Sequence, residues 1–355
     1  MRIGLIGLPA SGKTTVFNAI TGLGREVGGY RGGPSLDLAT VHVPDERLNE
    51  IARIISPKKT TPASLDWVDV TGMITGEGRT EVDAAVLGKA RELDGLGIVL
   101  RAFESESVVH PAGSVDALRD LGVVRTELVF ADLAIAEGRR DRLKKDVERG
   151  RASKDEAVRE LGLLEKVLAV LDDGKPARNL DLGAEEEKAL SGFQFLTGKP
   201  EVIIVNVGDD GGAADPAVGA LPPEAVRIQG ALEMELNELE EPERTEFAKE
   251  MGVAEAAAGK VTEGAYRSMG VVTFYTTASD ELRAWTLPAG ATALDAAAAV
   301  HTDMAKGFIR AEVVPFEGLA EAGSLTEAKS RDLVQVVGRD YEVADGDIIT
   351  VRFST

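Results

Sequence analysis

The chain has 355 residues, with 40 lysines and arginines against 60 aspartates and glutamates, and its net charge of −20 excludes a general nucleic-acid coat. Hydrophobic residues make up 44% and charged residues 28%, which is typical of a folded protein with two or three domains rather than a disordered chain. Because there is no cysteine, disulfides, thiol nucleophiles and cysteine-bound metal sites are also excluded.

The first predicted element is a buried strand, Arg2 to Ile6, and a helix is predicted from Thr14 to Thr21. Further apolar runs of strand length lie at Leu65 to Val70, Leu96 to Arg101 and Val202 to Asn206, with stretches of helical length between them. This alternation predicts an α/β fold with a doubly wound, mostly parallel sheet. No run reaches the roughly 18 apolar residues of a membrane span, and the opening segment is too short for a signal peptide. We therefore expect a soluble, cytoplasmic protein without membrane contact.

Residues 125 to 178 have the pattern of an antiparallel helical hairpin. Its second half repeats apolar residues at the spacing of a coiled-coil seam: Ala157, Leu161, Leu164, Leu168 and Leu171. The tip, residues 139 to 154, carries eight basic and three acidic side chains, a net of 8 − 3 = +5. A solvated helix face explains such a charge run as well as an RNA contact does. The basic residues that we name as candidate RNA contacts are Arg140, Lys144, Lys145, Arg149 and Arg151.

The segment Gly7 to Thr14, GLPASGKT, matches the phosphate-binding motif G-x-x-x-x-G-K-[ST] and lies between a predicted strand and a predicted helix, as the motif requires. Its glycines let backbone N–H groups surround phosphates, and the helix N-terminus favours negative charge. We expect Lys13 to reach the β- and γ-phosphates and the Thr14 hydroxyl to bind Mg²⁺. The residues expected to bind the nucleotide here are Gly7, Pro9, Ala10, Ser11, Gly12, Lys13, Thr14 and Thr15.

Asp69 lies at the end of the run that starts at Leu65, where its carboxylate could hold the metal through water. Together with Gly72 it forms the D-x-x-G of a GTPase-type switch, in which the Gly72 N–H senses the γ-phosphate. Met73 stands where a Ras-type enzyme has its water-orienting glutamine, so a water-positioning group must come from elsewhere.

Asn206 ends a later apolar strand and is the candidate for base recognition, together with Val207 and Asp209. An aspartate three residues after that asparagine can accept from guanine N1–H and N2–H₂, whereas adenine presents a donor at N6. The choice between ATP and GTP therefore stays open, and so does the alternative of a strand-end asparagine with an acidic loop. Further nucleotide contacts are expected at Ala231 and Leu232.

A third unit begins beyond Ala278. Its segments LRAWTLPAG and ATALDAAAAVH predict a strand, a turn and a helix, and VVGRDYEVADGDIITVRFST predicts two closing strands around Asp345-Gly346. About eighty residues suffice for a small α+β module.

These motifs together resemble the Obg-like ATPase family, also called YchF, over nearly the whole chain. GLPASGKTT is similar to the family's GLPNVGKST, VPDERL to its post-switch segment and GKPARNL to the end of its helical insertion. TFYTTASDELRAWTLPAGATALDAAAAVHTDMAKGFIRAEV and RDYEVADGDIITVRF resemble its TGS module. The resemblance implies a P-loop NTPase domain (residues 1–124 and 179–275), a helical arm (125–178) and a ubiquitin-like TGS domain (276–355).

The resemblance also implies a slow, Mg²⁺-dependent nucleoside triphosphatase that acts as a switch on ribosomes or translation partners, and we expect a monomer. Family members commonly prefer ATP, and a loop histidine that matches His110 positions the water. Three positions depart from the family. Ala10 replaces an asparagine that helps to bind a monovalent cation, so potassium activation is not expected. No threonine is in register with the family's Mg²⁺-binding threonine, for which Ser35 could substitute, and Asp209 replaces the usual glutamate.

Two other interpretations remain. GLPASGKTT also looks like the GxPxSGKTT of nucleotide and small-molecule kinases, although no arginine-rich lid or acceptor pocket is evident near it. The altered loop at residues 32 to 35 would also fit a weakly active pseudo-NTPase scaffold that binds nucleotide without useful turnover.

Overall fold

The computed structural model describes residues 1–24, 37–70, 84–150, 153–212, 215–240, 242–251, 257–278 and 280–354. The chain forms two compact units. Unit 1 contains Met1–Thr40 and Asp66–Ala265, and unit 2 contains Val41–Leu65 and Tyr266–Thr355. Within the described ranges, no helix is both long enough and apolar enough to cross a membrane.

The strands and helices are numbered in chain order over the described residues. The strands are β1 (Arg2–Ile6), β2 (Asp37–His42), β3 (Lys59–Thr61), β4 (Ser64–Asp69), β5 (Gly95–Ala102), β6 (Glu201–Val207), β7 (Val226–Ile228), β8 (Val271–Ala278), β9 (Glu281–Pro288), β10 (Phe308–Pro315), β11 (Gln335–Val337) and β12 (Asp347–Phe353). The helices are α1 (Lys13–Thr21), α2 (Glu46–Ile55), α3 (Ala84–Ala90), α4 (Ala117–Glu148), α5 (Lys154–Asp172), α6 (Ala184–Ser191), α7 (Gly230–Glu238), α8 (Glu243–Glu250), α9 (Ala257–Ser268), α10 (Ala293–Val300), α11 (Thr302–Lys306), α12 (Phe316–Ala322) and α13 (Leu325–Ser330).

Unit 1 is built on a six-stranded sheet with the order β2-β4-β1-β5-β6-β7. β1 runs parallel to β4 and β5, β5 to β6, and β6 to β7. The predicted parallel α/β sheet and its four predicted strands are thereby confirmed. β2 and β7 were not predicted, because β2 alternates between half-buried and exposed residues and β7 has only three residues.

One face of this sheet is covered by α3 and the first turns of α4. Leu121, Val124 and Leu128 of α4 pack in one buried cluster with Ile98 and Leu100 of β5. Each fully buried side chain of this size contributes roughly 1.5–3 kcal/mol to folding. The start of α4 therefore belongs to the sheet core, and the predicted arm boundary at residue 125 falls inside one continuous helix.

Beyond the sheet, α4 continues into the arm and α5 returns beside it. Arg139 of α4 pairs with Glu160 of α5, and only five residues connect the two helices, so they are antiparallel. The predicted seam is buried except at Leu161, which is half-buried. Leu163 and Val167 are buried as well. These two residues make the apolar face of α5 wider than the predicted seam, because α5 packs against the segment around Phe195 as well as against α4.

Asp132 fastens α4 to the segment that leads into β6. This fully buried carboxylate accepts from the N–H groups of Leu196 and Thr197, from the Thr197 hydroxyl and from the Arg91 guanidinium. A buried charge with this many donors is stabilising only as long as all of them are present. The root of the arm is thus joined to the segment before β6 by a buried hydrogen-bond network.

Unit 2 has its own six-stranded sheet with the order β11-β10-β12-β8-β9-β3. β9 and α10 confirm the predicted strand, turn and helix, and Thr292 and Asp295 form a capping box at the start of α10. The two predicted closing strands are present as β11 and β12. However, β10 lies between them and pairs with both, so Asp345-Gly346 leads into β12 and does not close a hairpin.

Residues from the VPDERL segment are part of unit 2. Asp45 caps α2 and accepts a hydrogen bond of 2.6 Å from the hydroxyl of Tyr275 in β8. Arg47 pairs with Asp345 at 2.7 Å, and Lys59 of β3 lies in register with Glu281 of β9. The stretch between β2 and β4 therefore leaves the first sheet, completes the second, and returns to the first.

Candidate nucleotide-binding site

The loop after β1 has the backbone that a phosphate-binding loop requires. Gly12 has a φ of +86°, and a Cβ there would collide with the side-chain amide of Asn206. A Cβ on Gly7 would collide with the carbonyl oxygen of Val99 in β5. Only glycine fits at these two positions. Ala10 has a φ of +60°, which an alanine adopts at a cost of roughly 1–2 kcal/mol.

Lys13, the first residue of α1, lies at the centre of this loop with 6% of its surface exposed. Its ammonium donates to the carbonyl oxygens of Gly7, at 3.1 Å, and Leu8, at 2.8 Å. Burial lowers the pKa of Lys13 to about 8, and the charge of Asp69 partly opposes that shift. An ammonium has three donors, so one N–H remains for a phosphate oxygen.

Thr14 and Asp69 meet beside the lysine. The Thr14 hydroxyl donates to Asp69 Oδ2 at 2.8 Å, and Asp69 is 4% exposed at the end of β4. Hydroxyl and carboxylate oxygens are the ligands that Mg²⁺ prefers, and Mg²⁺ commonly takes its remaining ligands from phosphates and water. In the described part of the chain, no cluster of three or more histidine, aspartate or glutamate side chains could hold a metal alone. This pair therefore fits a magnesium ion that arrives with a nucleotide.

Asn206 connects the loop to the start of α7. Its amide donates to the Ser11 carbonyl at 3.3 Å, and its side-chain oxygen accepts from the Gly230 N–H at 3.2 Å. Asn206 is 3% exposed, and Thr15 approaches the same glycine. The structure thus brings together the predicted base-recognition asparagine and the phosphate loop.

The other residues predicted to contact the nucleotide differ in how far they are buried. The side chains of Val207, at the end of β6, and Leu232, in α7, are buried. Ala231 and Asp209 are exposed, the first in the opening turn of α7 and the second in the loop after β6. Pro9 is half-buried in the phosphate loop.

Three residues that no sequence motif predicted lie at the same edge of the sheet, at the ends of β5 and β7. The ring of Phe103 lies 3.8 Å from where a Cβ of Gly12 would be, and the guanidinium of Arg101 stacks on that ring at 4.6 Å. Gln229 donates to the Gly208 carbonyl at 3.3 Å. Single residues such as these have no spacing pattern, so only the fold reveals them.

His110 is turned towards α4. Its Nδ1 accepts from the Ala112 N–H at 3.1 Å, so the proton is on Nε2, which donates to Asp120 Oδ2 at 2.9 Å. Two nitrogens of Arg119 hold the other oxygen of Asp120, at 2.9 and 2.7 Å. Both nitrogens of the imidazole are therefore occupied, and His110 as a whole is 7% exposed.

At the tip of the arm, Arg140 and Lys144 form ion pairs with residues of the arm itself. Lys145 and Arg149 are exposed and form no ion pair with any described residue. The remaining predicted site residues, Ser35, Gly72 and Arg151, lie outside the described residues.

A parallel sheet whose first strand runs into a glycine loop around a buried lysine, with a threonine and an aspartate beside it, defines a P-loop nucleoside triphosphate-binding protein. A family model described as "YchF-GTPase_C: Protein of unknown function (DUF933)" matches residues 271–354. The chain is 35% identical to the Ribosome-binding ATPase YchF of Pasteurella multocida over 99% of both chains. It is 33% identical to the protein of the same name from Bacillus subtilis, over 100% of this chain and 99% of the relative.

Among solved structures, the chain is similar to the YchF GTPase of Schizosaccharomyces pombe. The TM-score is 0.84 at 26% identity, and the match covers 99% of this chain and 97% of that one. The protein belongs to the YchF family.

Proposed function

We propose that the protein is a Mg²⁺-dependent nucleoside triphosphatase that hydrolyses ATP or GTP and binds ribosomes, and that it works in the cytoplasm. The carrying observation is the buried Lys13 within the phosphate loop, next to the pair of Thr14 and Asp69. The relatives support the rest, since the Pasteurella and Bacillus proteins are named ribosome-binding ATPases and the Schizosaccharomyces pombe protein is named a GTPase.

In this proposal the protein positions the phosphates and stabilises their negative charge. Lys13 and the N–H groups of the phosphate loop hold the β- and γ-phosphates. Thr14 and Asp69 would hold Mg²⁺, with Ser35 as a further oxygen ligand, and the Gly72 N–H would detect the γ-phosphate. When bound, the ion neutralises charge that develops on the phosphate oxygens.

His110 is the proposed water-positioning group, and its described contacts predict slow turnover. Its Nε2–H is donated to Asp120 and its Nδ1 is occupied by the Ala112 N–H. The imidazole must give up at least one of these bonds before it can orient a water molecule. A partner that favours this change would stimulate hydrolysis.

Calorimetric titration of the nucleotide-free protein tests the first part of the proposal. Non-hydrolysable ATP and GTP analogues are added in Mg²⁺ to the wild type and to Lys13→Ala. Tight binding that Lys13→Ala weakens at least a hundredfold supports the phosphate loop as the site. Selective ATP binding would leave Asp209 without a role, whereas selective GTP binding would mean that Asp209 pairs with guanine. Equal binding by Lys13→Ala would refute the site.

The tip of the arm is the proposed ribosome contact, because Lys145 and Arg149 are exposed without an ion pair in the described chain. The double charge reversal Lys145→Glu/Arg149→Glu should weaken co-sedimentation with ribosomes at low salt, and the wild type should lose binding as salt rises. Lys188→Glu/Lys249→Glu makes the same change in net charge on α6 and α8 and should sediment like the wild type. Equal loss in both variants would mean that net charge, not the tip, controls binding.

The kinase alternative predicts a different product. A triphosphatase releases inorganic phosphate in the absence of any acceptor, and a kinase transfers it to a small molecule. Release of phosphate that ribosomes accelerate and Lys13→Ala abolishes supports the proposal. No release with or without ribosomes, despite tight binding, would refute the triphosphatase and leave the kinase and the nucleotide-binding scaffold as the alternatives.

A further inference from the structure

Arg101 is an arginine in the core of unit 1. It is 1% exposed, although it is the next-to-last residue of β5, and it lies in register with Asn206 of β6. Arginine is almost never fully buried unless its donors are used, because desolvation of the charge is costly. Such a residue at the carboxyl end of a parallel strand needs a specific explanation.

The guanidinium of Arg101 forms hydrogen bonds with both ends of the short segment 103–108. Its Nε donates to the carbonyl of Phe103 at 3.0 Å, and its Nη2 donates to the carbonyl of Val108 at 2.9 Å. The plane of the guanidinium also stacks on the ring of Phe103 at 4.6 Å. Nη1 has no hydrogen-bond partner among the residues that the structure describes. The bonds that are made fix the path of residues 103–108.

The two ends of this segment lead to different parts of the candidate site. Phe103 lies against Gly12 of the phosphate loop and against Gly208, which follows the Asn206 strand. Val108 is two residues before His110, whose imidazole is held by Asp120. The buried guanidinium of Arg101 therefore fixes the position of the Phe103 ring beside the phosphate loop. It also fixes the backbone at Val108, where the turn that carries His110 begins.

We propose that Arg101 is a positioning residue for hydrolysis, which acts through the Phe103–His110 segment and not by touching the nucleotide. This inference rests on the proposed function. A lysine cannot replace it, because an ammonium lacks the planar fork that reaches two carbonyl groups and stacks on a ring at the same time. The role of Arg101 is distinct from that of Lys13, which in the proposed function binds the phosphates directly.

The test compares Arg101→Met with the matched control Arg178→Met. Arg178 also donates to two backbone carbonyls, and its ion-pair partner Glu201 keeps Arg125 as a second partner when Arg178 is removed. We expect Arg101→Met to speed amide hydrogen exchange at residues 103–112 at least tenfold and to lower kcat roughly tenfold. Arg178→Met should leave both unchanged. Arg101→Lys, which keeps the charge but lacks the planar fork, should fold and show a comparable loss.

A double-substitution cycle separates positioning from a general structural effect. If Arg101 acts through His110, Arg101→Met should lower kcat no further in a His110→Ala background. Equal losses in both backgrounds would overturn the inference, as would a fall in kcat without faster exchange at residues 103–112. A wild type that does not hydrolyse nucleotide would refute the proposed function instead, and the exchange data would then still decide whether Arg101 holds the segment.

Discussion

Nucleotide binding should be coupled to proton uptake by Lys13. In the free protein, burial lowers the pKa of this ammonium to about 8, although the nearby charge of Asp69 opposes the shift. A bound triphosphate would bring several negative charges next to the ammonium and raise its pKa again, because opposite charges favour the protonated form. The free protein therefore carries fewer protons than the complex at alkaline pH.

The number of protons taken up on binding follows from the pKa of Lys13 in the nucleotide-free protein. With a pKa of about 8, Lys13 is neutral in about 10% of free molecules at pH 7, about 50% at pH 8 and about 90% at pH 9. If the bound lysine is fully protonated, uptake rises from about 0.1 to about 0.9 proton per nucleotide over this range. The apparent affinity should fall about tenfold between pH 7 and pH 9 for the same reason.

Calorimetric titrations at pH 7, 8 and 9, each in two buffers with different ionisation enthalpies, measure the uptake directly. Lys13→Met, titrated at higher nucleotide concentration, is the control and should show no rise in uptake with pH. An uptake that stays near 0.1 proton at pH 9 would refute the reasoning. The same rise in Lys13→Met would assign the titration to another group.

Three substitutions test the geometry further. Gly12→Ala should abolish nucleotide binding by calorimetry, because its Cβ would strike Asn206, whereas Gly24→Ala, which meets open space, should bind normally. Thr14→Ala should raise the Mg²⁺ concentration for half-maximal phosphate release at least tenfold, and Thr14→Ser, which keeps the hydroxyl, should not. Asp132→Ala should lower the free energy of unfolding in urea by about 3–5 kcal/mol, since it strands the Arg91 charge. Asp141→Ala removes only an exposed ion pair and should cost less than about 1 kcal/mol.

Local sequence patterns predicted the parts of this protein that are local in the fold. The glycine loop, its lysine and its threonine are contiguous, and their chemistry requires that spacing. The strands of the parallel sheet were found because buried parallel strands are continuous apolar runs. The arm was found because a seam of leucines repeats at intervals of three and four residues.

What the sequence did not reveal depends on partners far away in the chain. β3 is three residues long and pairs with β9, more than 200 residues later, so no local pattern assigns Lys59–Thr61 to unit 2. Arg101 and Phe103 acquire their roles only when β5 is placed beside the phosphate loop and β6. The described position of His110 likewise depends on a carboxylate that α4 supplies, and the resemblance named the histidine without that partner.

The burial of polar side chains locates the site independently of the motif. Within the described strands of unit 1, the buried charged or amide side chains are Asp69 of β4, Arg101 of β5 and Asn206 of β6. Each is the last or next-to-last residue of its strand, at the carboxyl edge of the sheet. Burial of these polar groups is unfavourable, and apolar side chains at the same positions would stabilise the core more. Their common position at this edge therefore requires a functional reason. In open α/β sheets ligands bind at this edge, which is also where β1 runs into the phosphate loop.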